Sequence, residues 1–306
     1  MYREALSVRK LKLWLAAALC PVAVQLAASA DWWKGGTVAL LSLAVVWAVW
    51  RWGRFSGWVS LCGAVVLVLY FGQILQGAAQ VWKGNSYPAV PLFLLALAVW
   101  SAWKGAKAAA CVGCVLFWTV LLIYPLVCGA AIRDVRWEWT KEGGNVGWEL
   151  CLLLLAPTLG KLLLNEKKTG TLPLLTVVLT ALSGLLTAGI LGIACGKGFY
   201  EMVRAIDLLG VVKHFEALVS AAATLGWFAL ASFALSICGA AGEMLGGSGR
   251  MFLFGGALLI TVVILCKFTI SGWFLLLVGA VFWVFLPVLT QGIDMIKKRK
   301  KSKNDS

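Results

Sequence analysis

Apolar residues run through this chain in long blocks, and polar residues are confined to the short gaps between them. The blocks fall at about 11–30, 36–50, 57–79, 88–103, 108–131, 148–164, 172–195, 215–241, 251–268 and 271–291. A bilayer's hydrocarbon core is about 30 Å thick and takes about 20 apolar residues per helix. The pattern therefore predicts an all-α, polytopic membrane protein of about ten transmembrane helices. Residues 1–306 form a single integral membrane domain, with no soluble domain and a basic tail at 297–306. The longest polar connections are 132–147 and 196–214.

The second of these connections has a pattern of its own. In "FYEMVRAIDLLGVVKHFEAL" (199–218), Phe199, Met202, Val203, Ile206 and Leu209 recur at helical spacing, while Glu201, Arg204 and Asp207 share the other face. This predicts a short amphipathic helix over 199–210 lying in the membrane interface, ended by Gly210. Glu201 and Arg204 are spaced i, i+3 for an ion pair worth a few tenths of a kcal/mol, and Glu216 stands about one turn beyond Lys213. The same stretch holds His214, the only histidine. It reads either as a solvated connector or as a gate over an external vestibule, with Glu201, Arg204 and Glu216 as its charged residues.

Composition supports the membrane assignment. The chain is 61% hydrophobic and 13% charged, with a mean hydropathy of +0.91, against roughly 25% charged residues in soluble domains. The net charge of +14 is not gathered into a nucleic-acid-reading motif. Most basic residues are single ones in short connections, and the rest cluster in "KKRKKSK" at 297–303, which can meet anionic lipid. Twice as many Lys and Arg fall on the side of the two termini as on the other. The positive-inside rule then puts both termini in the cytoplasm. Ala28-Ser29-Ala30 offers a small-residue cleavage site, so an alternative is that residues 1–30 are removed as a signal peptide. Pro21 and Gln25 interrupt that apolar run.

The nine cysteines lie almost wholly inside apolar runs, where they act as small hydrophobes. Cys111 and Cys114 form a CxxC without a second pair or a nearby histidine, so neither metal nor cofactor is expected. No metal motif or nucleophile–base set suggests an enzyme. Most of the 17 tryptophans, Trp50 and Trp148 among them, stand near predicted span ends as interfacial anchors. Trp118, Trp227 and Trp283 lie deeper.

Polar groups within spans carry more information, because burying an ionisable group in lipid costs several kcal/mol unless it is paired or wetted. Glu149 opens the sixth span after Gly143, Gly144 and Gly147, and Pro157 interrupts the same span eight residues later. A glycine-loosened, proline-broken helix bearing a carboxylate is the arrangement by which carriers expose backbone groups to a substrate. Pro21 removes a backbone hydrogen bond in the first span, with Gln25 one turn on. Tyr70, Gln73 and Gln76 form a polar stripe on the third span. Thr224 and Ser232 lie among small residues on the eighth.

Several of these segments together resemble the B-subunit family of bacterial spore germinant receptors, spore-germination-permease-like proteins of the amino-acid transporter superfamily. The carrying residues are Phe199, Glu201, Arg204 and Ile206, followed by "LLGVVKHFEAL" and "LGWFALAS", "GWELCLLLLAPTLGK" with Glu149 on the family's glutamate, and "LSVRKL" with Pro21 and Asp31-Trp32-Trp33 at the start. Leu230 stands where the family has lysine, and the first span lacks the family's glycine. The resemblance implies an inverted-repeat transporter-like core and a membrane sensor of small nutrients such as amino acids, partnered by other germinant-receptor subunits in the cell membrane or spore inner membrane. It implies a ligand pocket between the first, third, sixth and eighth spans, and the residues expected to line it are Pro21, Tyr70, Gly147, Glu149 and Thr224. Two other readings are a proton-coupled amino-acid permease and a non-binding structural subunit of a complex.

Overall fold

The computed structural model describes residues 6–78, 89–141, 144–164, 171–192, 194, 198–206 and 215–304. Among them the chain is helical and contains no strand. The helices are α1 (Val8–Ala27), α2 (Trp32–Trp52), α3 (Gly57–Ala78), α4 (Ala89–Trp103), α5 (Ala106–Ala131), α6 (Trp148–Leu155), α7 (Leu174–Leu191), α8 (Phe199–Ala205), α9 (Phe215–Met244), α10 (Gly249–Cys266), α11 (Gly272–Ala280) and α12 (Leu286–Asn304). A π-helical segment, Val281–Phe285, joins α11 to α12 into one rod. Among the described residues eight helical segments are long and apolar enough to cross a membrane, and Ala89–Trp103 is a shorter apolar helix. The chain is an integral, polytopic, all-α membrane protein.

Its outward surface is apolar. Leu41, Val115, Leu122, Met251, Trp273 and Leu277 are among many large hydrophobic side chains left exposed, as expected where the surrounding solvent is lipid rather than water. The rods α1 and α9 are the most enclosed: α1 packs on α5, α7 and α9, and α9 also packs on α3, α4 and α10. Small residues let these two approach closely. A Cβ at Gly226 of α9 would lie 2.6 Å from the Pro21 ring and 3.3 Å from the Ala17 carbonyl oxygen of α1.

That contact corrects the expectation of a break in the first span. Pro21 lacks the N–H that would bond to Ala17, yet α1 continues as helix through it. The released carbonyl sits against the side-chain-free face of Gly226 instead of opening the helix.

Three buried indoles tie the bundle together. Trp14 donates to the Ala229 carbonyl at 3.2 Å, Trp50 to Pro157 at 2.9 Å and Trp283 to Gly63 at 3.0 Å. An indole N–H in an apolar interior must find an acceptor or forfeit its hydration. Trp50 is thus an internal strut, not the interfacial anchor its place near a span end suggested. Trp118, by contrast, is exposed.

The sixth apolar run, expected as one span over 148–164, divides. Its first half is α6, and from Ala156 to Leu163 the chain is 3-10 helix with Pro157 in its first turn. Lys161 holds the far end by donating to the carbonyls of Gly53 and Val49 at the C-terminal end of α2. At the other end, Asp31 N donates to the Gly144 carbonyl at 2.9 Å, and Gly144 N to Ser29 at 3.1 Å. This clip between the α1–α2 turn and the approach to α6 fixes where α6 begins.

Candidate functional site

A cavity of about 300 Å³ opens where α1, α3, α6, α8 and α9 converge, lined by Gln25, Gln73, Trp148, Glu149, Tyr200 and Trp227, together with Val22, Leu26, Ile74, Gly198 and Phe199. Pockets for small ligands start at about this size. The contributing positions lie near the end of α1, the end of α3, the start of α6 and the first half of α9. They share the end of the bundle that the charge pattern assigns to the outside.

Glu149 enters this cavity from the first turn of α6. Gly147 is the N-cap residue, in extended backbone. A Cβ there would lie 2.6 Å from the Glu149 carboxylate oxygen Oε2, so the glycine leaves room for the carboxylate to fold back over the helix start. The N-terminal end of a helix favours such a negative charge. The backbone of the same residue is held from α3: the Tyr70 hydroxyl donates to the Glu149 carbonyl at 2.5 Å. The Tyr70 ring also meets Trp148 edge-on, with centroids 6.2 Å apart.

The other wall is α8, which turns its apolar side inward. Phe199, Met202 and Val203 are buried, and Phe199 stacks on Tyr124 of α5 at 6.0 Å. Tyr200 accepts a hydrogen bond from Gln25 Nε2 at 2.6 Å, and burial pushes its phenol above the usual tyrosine value. Glu201 and Arg204 form the predicted i, i+3 pair at 2.9 Å on the outer face. The helix ends earlier than expected, at Ala205, with Ile206 already extended. Asp207, Lys213 and His214 lie outside the described residues, as does Gly143, and for Glu216 only its place in the first turn of α9 is described.

Of the five residues expected to line a pocket, Glu149 does so. Tyr70 and Gly147 support it from behind. Pro21 and Thr224 are not among the described residues that line this cavity: Pro21 packs on Gly226, and Thr224 donates its hydroxyl to the Ser220 carbonyl of its own helix at 2.8 Å. The polar stripe of the third span does face inward. Gln73 donates to the Ile270 carbonyl at 3.2 Å and Gln76 to that of Val263, so both pin the α10–α11 turn. Gln73 keeps its Oε1 buried and without a hydrogen-bond partner.

Sequence reasoning missed Trp148 and Tyr200 as lining residues. The signal for Tyr200 was its position next to Phe199 on the inward edge of the amphipathic segment; Trp148 read as an interfacial anchor. No family model matches the chain, and no curated protein matches it.

Proposed function

We propose that this protein is a transporter-like membrane sensor of a small nutrient of amino-acid size, a B-type subunit of a spore germinant receptor that works with other receptor subunits. The observation that carries the reading is the cavity at Glu149: a carboxylate at a helix start, in a chain otherwise embedded in lipid, facing a chamber walled by α1, α3, α6, α8 and α9. An ionisable group within an apolar run is costly unless it is paired or wetted. Both termini lie in the cytoplasm on this reading, and the chamber opens outward, where a germinant arrives. Ligand binding shifts the population between two arrangements of α6 and α8 against the bundle, with Glu201, Arg204 and Glu216 on the gating side.

The alternative of a proton-coupled permease fits less well. Carriers of this kind pair two discontinuous helices around the substrate, whereas here α1 runs unbroken through Pro21, and of the segments that line the cavity the sixth is the one that changes helix type among the described residues. A non-binding structural subunit would have no use for the carboxylate.

The test is direct binding of amino acids and their analogues to the purified full chain, with Glu149→Gln as the variant. Saturable binding that weakens about tenfold or more in the variant supports the sensor, since an ion pair or charged hydrogen bond is removed. Concentrative uptake into proteoliposomes driven by a pH gradient would establish the permease instead. Absence of binding with intact assembly would leave the structural role.

A further inference from the structure

The chemistry of the cavity wall says which end of a small molecule it recognises. Among the described lining residues there is one carboxylate, on Glu149, and no Lys, Arg or His. The two amides are oriented by their neighbours. Gln25 commits an N–H to Tyr200, and Gln73 commits one to the Ile270 carbonyl. The second of these holds Gln73 with its Oε1 buried away from the cavity surface.

The remaining wall is part aliphatic, from Val22, Leu26 and Ile74, and part aromatic. Trp148 is braced by Tyr70, and Phe199 by Tyr124; Tyr200 and Trp227 add two more rings. Ring faces attract cations, most strongly when the cation is stripped of water.

Among the described residues a ligand carboxylate finds no such reception. The backbone amides of α1 are engaged in an uninterrupted helix. The free amides at the start of α6 are the other place where an anion would settle, but the Glu149 carboxylate already folds back over that turn. A second carboxylate there meets like-charge repulsion.

We infer that the cavity is an amine site: it takes a small organic ammonium ion without a carboxylate, held by Glu149 and the rings of Trp148, Phe199, Tyr200 and Trp227. This rests on the reading that the cavity binds a ligand, and it narrows the class from amino acids to their carboxylate-free counterparts.

The experiment uses matched probes on the purified full chain in nanodiscs, with heat of binding as the readout. Isoamylamine is compared with L-leucine, which is the same skeleton bearing a carboxylate, and with neutral isoamyl alcohol. The expected result is saturable binding of isoamylamine, about tenfold or more tighter than that of L-leucine or the alcohol. In Glu149→Gln the amine preference over the alcohol collapses while the affinity for the alcohol is retained. L-leucine binding as tightly as the amine overturns the inference and leaves the sensor reading standing. Amine affinity unchanged in Glu149→Gln also overturns it. Failure of amines and amino acids alike to bind removes both.

Discussion

The Tyr70 hydroxyl donates to the backbone carbonyl of Glu149 across 2.5 Å, joining the third rod to the first turn of the sixth. The bond acts on the backbone, so it sets where the carboxylate stands without occupying it. Tyr70→Phe removes the bond and keeps the ring against Trp148. The expected outcome is a stability loss of about 1 kcal/mol and a several-fold weaker ligand affinity. Thermal unfolding in detergent and calorimetric titration on the same preparation check this. Unaltered affinity would show that Tyr70 does not position Glu149.

Pro21 and Gly226 meet at the crossing of α1 and α9, where a Cβ at 226 would lie 2.6 Å from the proline ring. Gly226→Ala should destabilise the protein by about 1–3 kcal/mol through overpacking. Adding Pro21→Ala in the same chain removes the obstructing ring, so the double variant should recover part of the loss. Additive losses in the unfolding temperatures would contradict direct contact.

Arg54 and Asp294 form an ion pair at 2.5 Å between the α2–α3 connection and α12, and both side chains are substantially exposed. Exposed pairs are worth about 0–1 kcal/mol. Asp294→Asn should therefore move the unfolding temperature very little, and any shift should fade with added salt. A large, salt-independent loss would mean that the pair is shielded by its surroundings.

Burial pushes the Tyr200 phenol above its ordinary value of 10.0. The neutral form is thus favoured in the folded state, so the stability this contributes is complete below pH 10 and declines as the pH climbs beyond it. Above about pH 10 the wild type should lose stability more steeply than Tyr200→Phe. Equal slopes in pH-resolved melting curves would contradict the burial of this hydroxyl.

The rods were legible in the sequence because lipid is a uniform solvent: a run of apolar residues has only one way to cross it. The break at Pro157 was legible for a similarly local reason, since a missing N–H cannot be replaced within the same helix. The parts that depend on a neighbour were hidden. Pro21 carries the same local signal as Pro157, but α1 runs on through it, packed against Gly226 more than two hundred residues away. Thr224 looked available, and its hydroxyl turns back on Ser220 instead. Glu149 was conspicuous as a charge in an apolar run. The rings around it were camouflaged by tryptophans that serve as anchors elsewhere, because a single sequence does not distinguish a ring facing a headgroup from one facing a chamber.

The change from α6 to a 3-10 helix also alters how far a few residues reach. Eight α-helical residues rise about 12 Å at ~1.5 Å each, and eight in the narrower coil rise about 16 Å at ~2 Å each. Sixteen residues thereby climb about 28 Å, close to the ~30 Å depth of hydrocarbon, where an ordinary helix of that length would stop about 6 Å short. The sixth segment is moored at one end to Gly53 by Lys161 and carries Glu149 at the other. Returning its second half to α-helix would shorten the segment by about 4 Å.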